Sequence, residues 1–170
     1  MNLCEVIARG DLGAQIGVVI ASKECLGAQR ARERGLETLV EPGAIPRARL
    51  AEILVTHRID WVVLAGYLKK VEIPERFKGR VVNIHPALLP DFGGAGMYGD
   101  RVHAAVLASG ATHSGCTVHL CDEEYDRGPI LLQRTCPVMP GDDPHALAAR
   151  VFEEEKRAYP EALRRLFAES

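Results

Sequence analysis

A chain of 170 residues, 47% hydrophobic and 26% charged, has the size and balance of one compact globular domain, and residues 1–170 are read as that single domain. Its formal net charge of -2 argues against a chain built to neutralise nucleic-acid phosphates. No apolar run is long enough to span a bilayer, and the opening Met1-Asn2-Leu3-Cys4-Glu5 lacks the charged-then-apolar order of a secretion signal. A cytoplasmic protein with neither membrane nor nucleic-acid partners is expected. The five cysteines, Cys4, Cys25, Cys116, Cys121 and Cys136, form no CxxC pair, so they read as small buried apolar residues rather than a disulfide or zinc framework.

Leu3 to Arg9 reads as the end of a helix. The β-branched run Gln15–Ile20 predicts a buried strand, Leu26–Arg34 a helix stopped by Gly35, and Glu37–Val40 a second strand. Pro46–Arg58 is helical, with Pro46 suited to its first position and Leu50, Ile53 and Leu54 on one face. Asp60–Gly66 and Val81–His85 are further strands, and Asp100–Ser109 is a helix ended by Gly110. In Gly115–Asp122, Cys116, Val118 and Leu120 alternate with Thr117, His119 and Cys121. Pro129–Val138 completes an antiparallel ribbon with that strand, and Asp142–Ala168 is a long helix kinked at Pro160. The fold class is therefore α/β: an open, Rossmann-like sheet, parallel in its N-terminal half, with mixed C-terminal strands and a long C-terminal helix.

Asn83 and His85 are two apart on one strand, so their side chains leave the same face, and Pro86 ends the strand beside them. An amide and an imidazole side by side can donate two hydrogen bonds to one oxygen, as a tetrahedral oxyanion requires. The same two residues could equally tie down a turn. In the acidic loop Asp122-Glu123-Glu124-Tyr125-Asp126-Arg127-Gly128-Pro129, Asp126 stands apart because it directly precedes Arg-Gly-Pro. A carboxylate near His85 would favour its protonated form and hold its orientation. His119 admits a functional or a structural reading. His103, His113 and His145 read as surface residues, and His57 as a cation at a helix end. No histidine pair has zinc-ligand spacing, so no metal is expected.

The segments Asn83-Ile84-His85-Pro86-Ala87-Leu88-Leu89-Pro90, Ser114-Gly115-Cys116-Thr117-Val118-His119 and Tyr125-Asp126-Arg127-Gly128-Pro129-Ile130 resemble the folate-dependent formyltransferases, in particular the glycinamide ribonucleotide enzymes. Leu64–Leu68 and Gly96–Gly99 with Val102-His103 fit as well. The resemblance implies that Asn83, His85 and Asp126 are catalytic. It also implies that 10-formyltetrahydrofolate is the co-substrate, held between the segment Leu68, Lys69, Lys70, Val71 and the loop from Asp122 to Asp126, with Asn83 in contact. Glu155 matches an acidic residue that contacts the ribosyl substrate, 5-phosphoribosylglycinamide. Arg47 is a basic residue near the substrate or folate. A monomer or homodimer is implied.

The family pattern opens with an apolar strand and a glycine- and serine-rich phosphate loop, of which Asn2 alone corresponds to the end. The chain is accordingly read as N-terminally truncated relative to the family. The nearest rival function is formyltetrahydrofolate hydrolysis, with water as acceptor. A non-catalytic folate- or nucleotide-binding remnant is the rival of a different class.

Overall fold

The computed structural model describes residues 2–122 and 124–168, in two compact units, 1–81 and 82–170.

The first unit runs α1 (Asn2–Ala8), β1 (Val19–Ala21), α2 (Leu26–Glu33), β2 (Thr38–Val40), α3 (Arg47–Thr56) and β3 (Val62–Val63), then a 3-10 turn at Glu75–Phe77. β1 and β2 pair in parallel, with Val19 opposite Thr38, as a strand–helix–strand order requires. α2 ends where Gly35 takes φ +72, a conformation that a side chain disfavours. Pro46 caps α3 from outside rather than occupying its first turn. Leu50, Ile53 and Leu54 form the buried stripe of α3. The strands expected at Gln15–Ile20 and Asp60–Gly66 shrink to Val19–Ala21 and Val62–Val63. Their apolar runs mark packing more than pairing: a Cβ on Gly17 would run into the Ile59 side chain, yet the β1 ladder begins only at Val19.

The second unit contains β4 (Val81–His85, starting at the last residue of the first unit), α4 (Asp100–Ala108), β5 (His113–Leu120), β6 (Ile130–Pro137) and α5 (Pro144–Ala168). β4, β5 and β6 are antiparallel neighbours. Asn83 stands opposite His119 and His85 opposite Thr117, while Thr117 stands opposite Gln133. The helix expected from Asp142 begins two residues later at Pro144, which suits a first helical position. The Asp143 carboxylate accepts the Ala146 N–H at 2.7 Å and so caps the helix. Pro160 lies buried inside α5, and the neighbouring Tyr159 hydroxyl donates to the Val82 carbonyl at 3.1 Å. Leu147, Val151, Ala158, Ala162 and Leu163 make the buried face of this helix.

β5 departs from the alternation expected of a half-exposed strand, because both of its faces are buried from Ser114 to His119. Its polar face is covered by the chain that leaves β4, since Thr117 bonds Ala87 and Leu89. Cys116 and Cys136 are buried as expected, Cys4 and Cys121 are half-buried, and Cys25 is exposed; all five are free thiols. Among the described residues, no helix is long and apolar enough to cross a membrane.

Gly128 is required by a close approach of two backbones. A Cβ there would collide with the Leu120 carbonyl, a fixed group that cannot yield as a flexible side chain would. Gly128→Ala is expected to lose about 2 kcal/mol or more of stability in urea unfolding. A variant as stable as the parent chain would contradict this packing.

Candidate active site

Four polar side chains converge on one face of the second unit's sheet. β4 delivers Asn83 and His85 at alternate positions, β5 delivers His119, and the 122–128 loop returns Asp126 to them. Asp126 adopts φ +57, a left-handed turn conformation that Asp tolerates better than most residues. Its carboxylate lies 3.5 Å from His85 Nδ1 through one oxygen and 3.5 Å from His119 Nε2 through the other. The oxygen near His85 also accepts the Gly94 N–H at 2.9 Å. Gly93 allows that approach, because a Cβ there would lie 3.2 Å from Asp126 Cβ and would strike Leu89.

The remaining nitrogens fix the ring orientations. His85 Nε2 lies 2.8 Å from the Phe92 carbonyl oxygen, which can only accept, so Nε2 carries the hydrogen. By the same argument His119 Nδ1–H donates to the Leu120 carbonyl at 2.9 Å. His119 Nε2 then faces both the Asn83 amide nitrogen, at 3.3 Å, and Asp126. His119 thus links the amide to the carboxylate, and it is the member of the constellation that sequence reasoning left open. Its signal was a ring on the polar side of an alternating strand, beside Thr117.

Charge is distributed unevenly over these groups. Burial alone would raise the Asp126 carboxyl, but His119, the Gly94 N–H and His85 together hold it below the ordinary carboxylate range. For His85, burial outweighs the support of Asp126 and the Phe92 carbonyl, with His119 adding to the depression, so the imidazole lies below its ordinary value. The carboxylate therefore favours the protonated ring, as its placement in the sequence suggested, without overcoming the cost of burying that charge. His103, expected at the surface, is 4% exposed on α4, and its Nδ1 has no partner among the described residues. It lies near enough to His85 for the two rings to disfavour each other's charge. Burial pushes the Cys116 and Cys121 thiols up to about 12, so neither supplies a thiolate nucleophile.

Residues 3–163 match the family model described as formyl transferase. The chain belongs to the formyl transferase family. It is 44% identical over 177 residues to the chloroplastic phosphoribosylglycinamide formyltransferase of Vigna unguiculata, covering 99% of this chain and 57% of that protein. The chain spans about half the length of such curated plant relatives. Among solved structures, glycinamide ribonucleotide transformylase 1 from Symbiobacterium toebii is similar, with TM-score 0.89 and 37% identity over 99% of this chain and 81% of that one. A formyltetrahydrofolate deformylase from Pseudomonas syringae pv. tomato has TM-score 0.83 and 25% identity, over 96% of this chain and 55% of that one.

The other residues singled out in the sequence are divided between the two units. In the first unit, Asn2 is the first residue of α1, and Arg47 is exposed at the start of α3, its N–H 3.3 Å from a Glu72 carboxylate oxygen. Leu68, Lys69 and Lys70 are exposed and Val71 is half-buried. In the second unit, Asp122 is exposed and accepts the Glu124 N–H at 2.8 Å, which shapes the turn leading to Asp126. Glu155 lies on α5, close enough to Cys116 to add to the rise of its thiol. Glu154 and Glu155 are half-buried, whereas Glu153 is exposed. Burial raises the Glu155 carboxyl to about 7.

A carboxyl raised from 4.5 to about 7 binds its proton more tightly when folded. Its contribution is most favourable at acid pH and is lost as pH climbs through that window. Thermal unfolding of Glu155→Gln should therefore show the variant gaining stability relative to the parent chain as pH rises from about 5 to 8. A difference that is flat with pH would contradict the buried carboxyl.

Proposed function

We propose that this chain transfers the formyl group of 10-formyltetrahydrofolate to the primary amine of 5-phosphoribosylglycinamide, a step of purine synthesis. The observation that carries the reading is the convergence of Asn83, His85, His119 and Asp126, within the formyl transferase family, on one sheet face. The plant phosphoribosylglycinamide formyltransferase and the bacterial glycinamide ribonucleotide transformylase that the chain resembles support the choice of acceptor.

In this reaction the amine nitrogen attacks the formyl carbon, and the carbonyl oxygen takes on negative charge. The Asn83 amide has two N–H groups and spends at most one on His119, which leaves the other for that oxygen. His85 Nε2–H provides a second donor once the oxygen displaces the Phe92 carbonyl. Because burial holds His85 neutral, the ring takes up through water the proton that the attacking nitrogen releases as the oxyanion grows, and the Asp126 carboxylate then faces a full positive charge. Asp126, ionised at neutral pH, stays a carboxylate while the ring holds that proton and passes it through water to N10. The carbon–N10 bond breaks as N10 receives a proton, so no net proton is gained or lost.

Three further roles rest on the family resemblance. Glu155 contacts the ribosyl part of the acceptor. Asn2 and Arg47 contribute to substrate binding. Folate contacts are assigned by the same resemblance to Leu68, Lys69, Lys70, Val71, Asn83, Asp122 and Asp126. The formal net charge of -2 supports small-molecule partners over nucleic acid, and a cytoplasmic monomer or homodimer completes the reading. The second reading, transfer of the formyl group to water, is favoured by the similarity to the deformylase.

Incubation with 10-formyltetrahydrofolate, with and without 5-phosphoribosylglycinamide, tests the proposal. Formyl loss that depends on the acceptor is expected, and loss independent of it would make the chain a hydrolase. His85→Ala and Asp126→Asn should each lower turnover by roughly 10²–10³-fold while remaining folded. Near-parental turnover in either variant would refute the catalytic assignment.

A further inference from the structure

We infer that Thr117 and Gln133 are positioning residues that hold the chain leaving β4, and with it the His85 imidazole, in the resting geometry from which formyl transfer starts. The inference deepens the transfer reading and rests on it for its kinetic consequences.

Thr117 stands directly opposite His85 across the β4–β5 ladder and directly opposite Gln133 across the β5–β6 ladder. Side chains so paired leave the same face, so the three form one row over three strands. The Thr117 side chain is fully buried, at 0% exposure, and its hydroxyl is saturated. It donates to the Ala87 carbonyl at 2.7 Å and accepts the Leu89 N–H at 3.0 Å and a Gln133 amide N–H at 2.9 Å. The Gln133 amide also reaches the Leu89 carbonyl at 2.9 Å. Residues two and four past His85 are thereby tied to two neighbouring strands. Three residues beyond Leu89, the Phe92 carbonyl receives the His85 ring. Filling space would not require a hydroxyl at position 117, because valine has the same shape; fixing the path of this segment does.

The consequence is legible in the titration of His85. The ring faces Asp126 from the 122–128 loop, His119 from β5 and the Phe92 carbonyl from the held segment, and it feels His103 from α4. Asp126 and the carbonyl support the charged ring, whereas burial and His119 oppose it. If the segment loosens, one of the two supports weakens. His85 then holds a proton less tightly, so the ring takes up the proton of the reaction less readily and turnover slows.

The test uses the full chain with Thr117→Val, Thr117→Ser and Gln133→Met. Acceptor-dependent formyl transfer is measured from about pH 6 to 9, alongside the His85 ring titration by NMR. Thr117→Val should lose roughly tenfold or more in kcat with both KM values within about threefold. Its His85 titration should fall by roughly half a pH unit, the size expected for one weakened hydrogen bond. Thr117→Ser should restore both readouts, and Gln133→Met should shift them the same way by less.

A folded Thr117→Val with parental kcat and His85 titration would overturn the inference. So would a serine variant no better than the valine one. If Thr117→Val does not fold, a parental His85 titration in Gln133→Met overturns it instead. Absence of acceptor-dependent transfer in the parent chain would sink the transfer reading, while the His85 titrations would still decide whether the clamp positions the ring.

Discussion

The Asp126 carboxylate stands 3.5 Å from each of two imidazoles and accepts the Gly94 N–H at 2.9 Å. A side chain only 9% exposed does not stay ionised without such company, because taking a carboxylate from water costs several kcal/mol unless hydrogen bonds and opposite charge replace the lost solvent. Each supporting group in turn needs something to hold it. Gly94 is brought close by Gly93, whose missing side chain allows the loop to lie against Asp126. His119 is oriented by the Leu120 carbonyl and His85 by the Phe92 carbonyl. Removing the carboxylate would therefore disturb two rings and a loop together, which is how a unit of coupled groups behaves.

The antiparallel half of the sheet makes this arrangement repeatable. Two adjacent rows cross it: Asn83 beside His119, and His85 beside Thr117 and Gln133. The first row supplies the amide and a bridging ring. The second supplies the donor ring and the hydroxyl and amide that hold the chain next to it. The opposite face of β5, with Cys116 and Val118, packs on the apolar side of α5. One strand thus serves the core with alternate residues and the site with the others, which explains why it is buried on both faces.

Much of this was readable from residues. Val81–His85 was bounded correctly because an apolar run met Pro86, and the spacing of Asn83 and His85 placed both on one face. The β5–β6 ribbon followed from two apolar runs around a Gly-Pro turn. What escaped was whatever depends on cross-strand register. Nothing local to Thr117 or Gln133 reveals that they stand in line with His85. The link from Asn83 through His119 to Asp126 likewise requires the hairpin's pairing to be known. His103 was assigned to the surface because a nine-residue helix gives little periodic signal, yet it is buried among apolar neighbours on α4. Strands β1 and β3 came out longer in the sequence than in the structure because apolar runs record burial, whereas a ladder also needs a partner.

Convergence on a single carbonyl oxygen is the central claim, and a structure of the chain with a non-transferable carbonyl analogue of 10-formyltetrahydrofolate tests it most directly. The account predicts the analogue's oxygen within about 3 Å of both the Asn83 amide nitrogen and a His85 ring nitrogen, with the Phe92 carbonyl displaced. A bound analogue whose oxygen lies elsewhere, with His85 still bonded to Phe92, would contradict it.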